Sequence, residues 1–131
     1  MNLVDSSGWL EFLVDGPNAA FFEKPLSEPP ALIVPTVCLY EVFKVVLRER
    51  GEDSALQAVA LMSQGRITDL TQTIALKAAR LSLSRKIPMA DGLIAATAEI
   101  TGAVIWTQDE HFKGLPRVQY VSKRPARSGA S

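Results

Sequence analysis

Asp5, Glu41, Asp91 and Asp109 set carboxylates at widely separated points of the chain, each flanked by apolar residues where a charge is costly. No matching set of Lys or Arg is interleaved with them, so ion pairing does not account for the pattern. Four carboxylates drawn together would hold a divalent cation. Hard ions such as Mg²⁺ take oxygen ligands and keep several waters while one or two carboxylates hold them. A cation so held can activate water and neutralise charge developing on an oxygen.

Each acid also has an ordinary explanation. Asp5 and Asp109 could be turn residues, Asp91 could favour a helix N-terminus by its charge, and Glu41 could be a solvated helix residue. Glu41 resists this best, because Leu39, Tyr40, Val42 and Phe43 surround it. Asp91 is next, set between Ala90 and Gly92 ahead of Leu93, Ile94, Ala95 and Ala96. Glu11, Glu23, Glu49, Glu52, Glu99 and Glu110 have polar or terminal settings and read as surface charge. Cys38, the lone cysteine, sits in an apolar run with nothing to recruit the lone His111 to it, so it reads as a buried thiol.

Short β-type runs recur with helical stretches between them: Asn2 to Asp5, Ala31 to Val34, Arg66 to Leu70, Ala103 to Trp106 and Val118 to Val121. That alternation predicts a parallel α/β sheet. Ser6 or Ser7 can cap a helix over Gly8 to Val14, Thr36 one ending near Gly51, Asp53 one reaching Gln64, and Thr71 one over Gln72 to Lys86. Pro88 and Gly102 bracket a further helix, Met89 to Thr101, whose small residues Ala90, Gly92, Ala95 and Ala98 suit close approach to the sheet. On this map Asp5 ends the first strand and Asp109 follows the fourth. Ligands of open α/β sheets lie beyond the carboxyl ends of the strands, where strand order reverses. Asp5 and Asp109 meet if strands one and four are neighbours, and the helical acids Glu41 and Asp91 could lean over the same rim.

The 131 residues fit one domain, and 47% hydrophobic with 21% charged residues suits a buried core. With 14 basic and 14 acidic residues the formal charge is +0, so any polyanion would be held by a local patch. No signal-peptide pattern opens the chain and no apolar run reaches the roughly 18 residues a membrane span needs, so a soluble, cytoplasmic protein is expected. From Ser122 the sequence turns polar and basic. Residues 1–121 are therefore expected to form the domain and 122–131 a flexible tail.

The segments Val4-Asp5-Ser6-Ser7, Pro35-Thr36-Val37-Cys38-Leu39-Tyr40-Glu41-Val42, Met89-Ala90-Asp91-Gly92-Leu93-Ile94-Ala95-Ala96-Thr97-Ala98 and Trp106-Thr107-Gln108-Asp109-Glu110-His111-Phe112 resemble PIN-domain ribonucleases. The likeness spans nearly the whole chain, and the compact size is most similar to the VapC-type toxins of toxin-antitoxin pairs. The resemblance implies a PIN-like three-layer α/β/α fold on a parallel five-stranded sheet of order 3-2-1-4-5. It places the catalytic, metal-holding quartet on Asp5, Glu41, Asp91 and Asp109, with Ser6 and Thr107 as supporting hydroxyls and Mg²⁺ or Mn²⁺ as cofactor. Glu41 is left open as a ligand through water or as the group orienting the attacking water. Trp106 is bulkier than the aliphatic residue expected at the end of strand four.

The implied reaction is endoribonucleolytic cleavage of single-stranded or looped RNA to 5′-phosphate and 3′-hydroxyl ends, with an antitoxin protein as partner and a homodimer or toxin-antitoxin hetero-oligomer as assembly. Lys44, Arg48 and Arg50, along the helix after Glu41, and Arg85 and Lys86, ahead of Asp91, are the candidate RNA contacts. His111, two residues from Asp109, could serve as a general acid or base, but the resemblance implies a structural His-Phe pair in which Phe112 anchors the short turn. Trp9, Phe12, Phe21 and Phe22 form an apolar stripe that suits the core or an antitoxin groove. The rival reading is a phosphoacceptor signalling domain using Asp69, with Thr107 and Lys123 as its partners. It expects an acidic pair at the end of strand one and leaves Glu41 and Asp91 without a purpose.

Overall fold

Leu3 and Val4 of the first strand and Leu32, Ile33 and Val34 of the second are buried in one continuous core, the pattern of a sheet covered on both faces. The computed structural model describes residues 1–125; 126–131, the end of the expected tail, lie outside the described residues. The strands are β1 (Asn2–Val4), β2 (Leu32–Pro35), β3 (Arg66–Thr68), β4 (Val104–Thr107) and β5 (Val118–Tyr120). They pair in parallel in the order β3-β2-β1-β4-β5, as the resemblance implies. Helices α1 (Ser6–Leu13), α2 (Ala19–Leu26), α3 (Thr36–Arg50), α4 (Glu52–Met62), α5 (Gln72–Arg85) and α6 (Met89–Thr101) flank this sheet. Single 3₁₀ turns at Pro29–Ala31 and Glu110–Phe112 complete the described elements.

The strand order disposes of the phosphoacceptor reading. In the doubly wound order 2-1-3-4-5 the third strand lies next to the first. Here β3 is an edge strand paired only with β2, so the exposed Asp69 that follows it is separated from Asp5 by the whole of β2.

Helix starts follow expectation at α5, where Thr71 Oγ1 accepts from Ile74 N at 3.2 Å, and at Gly102, whose φ of 71° closes α6. They depart from it elsewhere. Asp5 itself caps α1, its carboxylate accepting the Gly8 N–H at 2.9 Å, because the strand ends one residue early and Ser6 is already helical. Thr36 is likewise the first helical residue after Pro35, and α4 starts from Gly51 rather than Asp53, since φ of 89° lets Gly51 end α3 and start α4 without a linker.

Two glycines set helix spacing. A Cβ at Gly8 would lie 2.7 Å from Val4 Cγ1 and 2.6 Å from the Phe22 ring, so α1 can lie on β1 and α2 only with glycine there. A Cβ on Gly92 would collide with Ser82 Oγ and lie 3.0 Å from Ala78 O. The small residues expected to bring α6 onto the sheet thus include one that seats α6 against α5.

Trp9 and Phe22 are buried in the core, while Phe21 packs edge-on to Phe22 at 5.0 Å and against Trp106 at 5.2 Å. The indole Nε1 of Trp106 donates to Asn2 Oδ1 at 2.9 Å, which gives the large residue of β4 a defined seat. The chain beyond Val121 is in contact with the body. Asn18, buried at the start of α2, donates to Ser122 O at 3.0 Å and accepts from Arg124 Nε at 2.8 Å, since a buried amide must find partners. Among the described residues no helix is long and apolar enough to cross a membrane.

Candidate functional site

Parallel pairing sets Val4 opposite Trp106, and Asp5 N continues the ladder by donating to Trp106 O at 3.2 Å. Asp5 therefore leaves β1 beside Thr107, the last residue of β4. Thr107, wholly buried, donates from Oγ1 to Asp5 Oδ2 at 2.7 Å and accepts from Asp109 N at 2.8 Å. Ser7 Oγ lies 2.9 Å from both Asp5 oxygens. Asp5 is only 2% exposed, and three donors meet its carboxylate: Thr107 Oγ1, Ser7 Oγ and the Gly8 N–H.

Asp109 caps the 3₁₀ turn after β4, its Oδ1 accepting from His111 N at 2.9 Å. Asp91 enters from the first turn of α6. The His111 Nδ1 lies 2.8 Å from Asp91 Oδ2 and 3.1 Å from Asp109 Oδ1, bridging the two acids. Glu41, on the second turn of α3, accepts from Ser6 Oγ at 2.6 Å. The two hydroxyls expected to support the acids each hold one, Ser6 for Glu41 and Thr107 for Asp5. All four acids stand around the carboxyl ends of β1 and β4, the central pair where strand order reverses.

The PIN domain family model matches residues 3–118. The chain belongs to the PIN domain family. Solved structures similar to this PIN domain include a toxin-antitoxin complex from Klebsiella pneumoniae, at 22% identity and a TM-score of 0.76 over 91% of this chain and 96% of that one. The Mycobacterium tuberculosis VapC20 toxin, described as cleaving the sarcin-ricin loop, is similar at 20% identity and a TM-score of 0.75, covering 95% and 100% of the two chains. DNA-bound VapBC from Salmonella typhimurium follows at 18% identity and a TM-score of 0.68, covering 93% and 98%. No curated protein matches the chain significantly.

The charges of this PIN domain's rim act on one another. Burial pushes the Asp5 carboxyl up to about 6; the hydrogen bonds from Thr107, Gly8 and Ser7 pull it down, and the Asp109 charge adds to the rise. Asp91 is also pushed up to about 6, by burial first and then by Asp109, with His111 opposing and Glu41 adding. Burial likewise drives the Cys38 thiol far up, with the charges of Asp5, Glu41 and Asp91 adding to it. Cys38 is thus a neutral thiol beneath the acids, as its apolar setting suggests.

Asp91, Asp109 and His111 each offer one ligand atom, all within 4.8 Å of one another. Ion–ligand bonds of about 2.0–2.5 Å put opposite donors about 4–5 Å apart, so this spread fits one divalent ion. Asp5 and Glu41 are outside that tight group; Asp5 joins it through Thr107, and Glu41 through its effect on Asp91. Ser7 and His111 also meet the acids, although the sequence offered Ser7 only as a helix cap and His111 as a structural residue. Position alone offered a signal for His111, two residues after Asp109.

The candidate RNA contacts are spread along two helix ends. Exposed Lys44 sits one turn past Glu41, its Nζ 5.5 Å above the Tyr40 ring. Arg48 pairs with Glu49 at 3.4 Å, and Arg50 ends α3 beside a hollow lined by Leu13 and Val14. Arg85 and Lys86 close α5, Lys86 in the left-handed conformation at φ 56°.

Proposed function

We propose that this PIN domain is a divalent-metal-dependent endoribonuclease, the toxin of a toxin-antitoxin pair. The single observation that carries the reading is the closeness of the Asp91 and Asp109 ligand atoms, with buried Asp5 tied to Asp109 through Thr107, at the reversal point of a PIN fold. Asp5, Asp91 and Asp109 would hold Mg²⁺ or Mn²⁺. Bound there, the cation supplies an activated water and neutralises charge on the phosphate as the phosphodiester is cut.

The protein's own residues set the geometry. Thr107 and Ser7 fix the Asp5 carboxylate, and the Gly8 N–H keeps it at the start of α1. Ser6 holds Glu41 at 2.6 Å, which suits Glu41 to orient the attacking water or to reach the ion through one. In-line attack then leaves a 5′-phosphate and a 3′-hydroxyl. Lys44, exposed and one turn along α3 from Glu41, would meet the RNA backbone first, with Arg48, Arg50, Arg85 and Lys86 as further contacts. Unpaired loops present a backbone open to such a rim.

Similarity to toxins solved with antitoxins and DNA supports an antitoxin partner. The resemblance to VapC-type toxins likewise supports a homodimer or a toxin-antitoxin hetero-oligomer.

The test is to purify the chain without partner, add Mg²⁺ or Mn²⁺ and present total RNA beside an Asp5→Asn variant. Cleavage by the wild type alone, abolished by EDTA, with ends that ligate as 5′-phosphates, is the expected result. Equal cutting by both proteins would refute it. Expression alone should also arrest growth, and indifferent cells would remove the toxin assignment.

A further inference from the structure

His111 was read from sequence as a structural partner of Phe112, yet its side chain does not lie with Phe112 in the core. Phe112 is fully buried and pins the 3₁₀ turn, while the His111 imidazole is about half exposed and turned toward Asp91 and Asp109. Its backbone is fixed as well, because Asp109 Oδ1 accepts its N–H at 2.9 Å. The turn therefore delivers Nδ1 to a point 2.8 Å from one carboxylate and 3.1 Å from another, with little freedom left in the chain that carries it.

We infer that His111 is a nitrogen ligand of the cation, completing a set with Asp91 and Asp109. The inference rests on reading the acidic rim as the cation site. Three donors within 4.8 Å of one another, two oxygens and one ring nitrogen, span the coordination sphere of a single ion. A ring nitrogen ligates through its lone pair, so Nδ1 would carry no proton while it held the ion and the imidazole proton would sit on Nε2. A mixed nitrogen and oxygen set discriminates among ions. Imidazole adds little for Mg²⁺ and more for first-row transition ions, whose affinity climbs from Mn²⁺ toward Co²⁺ and Ni²⁺. Wild-type affinity should therefore rise more steeply along Mg²⁺, Mn²⁺ and Co²⁺ than the affinity of the same site stripped of its imidazole.

The experiment uses the full chain and Mn²⁺ as the probe. Electron spin echo modulation of the Mn²⁺-loaded protein should show a directly bound nitrogen, and the signal should vanish in His111→Ala. Calorimetric titration should find Co²⁺ at least about tenfold weaker in His111→Ala while Mg²⁺ changes by less than about twofold. The wild-type spectrum alone decides the matter should the variant fold poorly. Mn²⁺ bound without a nitrogen signal would overturn the assignment and leave the acidic site intact, with His111 only a counter-charge. Failure of the wild type to bind Mn²⁺, Co²⁺ or Mg²⁺ would overturn both readings.

Discussion

Thr107 gives its hydroxyl proton to Asp5 Oδ2 at 2.7 Å, joining the ends of two adjacent parallel strands across a wholly buried oxygen. The same oxygen takes the Asp109 N–H at 2.8 Å, so one side chain spaces two acids of the rim. Thr107→Val keeps the shape but removes both bonds, leaving the part-buried Asp109 N–H without its partner and Asp5 Oδ2 with Ser7 alone. That should cost about 1–3 kcal/mol per orphaned group and at least tenfold in RNA cleavage. Thr107→Ser retains the oxygen and should lose only about 1 kcal/mol for the missing methyl. Denaturant unfolding beside a cleavage assay checks this. Wild-type cutting by Thr107→Val would remove the spacing role.

Asp5 is held at a cost to the fold. Its carboxyl is raised from 3.8 to about 6 by burial, so keeping it charged at pH 7 opposes folding by about 3 kcal/mol. Asparagine caps a helix as well as aspartate, and its amide can donate to the Ser7 and Thr107 hydroxyls. Asp5→Asn should therefore stabilise the metal-free protein by about 1–3 kcal/mol while reducing cleavage by a hundredfold or more. A lower melting temperature for this variant in EDTA would contradict the reading of Asp5 as a charge that opposes folding.

The same shifts fix a pH dependence. Asp5 and Asp91 both titrate near 6 in the fold and near 3.8 when unfolded, so the folded chain holds more protons between those values. Stability from these two groups is full below about 4 and is lost as pH rises through about 6. In EDTA the protein should melt higher at pH 5 than at pH 7, and Mg²⁺ or Mn²⁺ should restore the difference at pH 7. An Asp5→Asn, Asp91→Asn double variant should show a much flatter slope. Equal slopes in both proteins would assign the dependence to other groups.

How far the sequence carries can be seen at these residues. Asp5, Glu41, Asp91 and Asp109 were legible because charge in apolar context is a local signal, and strand order followed from the family resemblance. The capping of α1 by Asp5 was not, since Asp5, Ser6 and Ser7 are all good caps and the choice turns on where β1 stops. The Asn18 contacts to Gln108 and Ser122 join positions 90 and 104 residues apart, which no local pattern encodes. The contact between His111 and Asp91 was hidden for the same reason, since Asp91 is brought by a different helix.

Distance along α3 separates the basic candidates. Helical rise is about 1.5 Å per residue, so Lys44 lies about 4–5 Å past Glu41 along the axis and Arg50 about 13–14 Å past it. Lys44 is exposed, while Arg48 is already paired with Glu49. If the scissile phosphate sits at the acids, Lys44 reaches the adjoining phosphate and Arg50 lies beyond the next one. Lys44→Glu should weaken RNA binding at least tenfold and reduce the salt dependence by about one phosphate contact, whereas Arg50→Glu should change affinity less than threefold. Binding of a catalytically silent Asp109→Asn background to a single-stranded RNA, measured from about 50 to 200 mM salt, separates the two. Equal losses at both positions would mean that the strand runs the length of α3 rather than across its start.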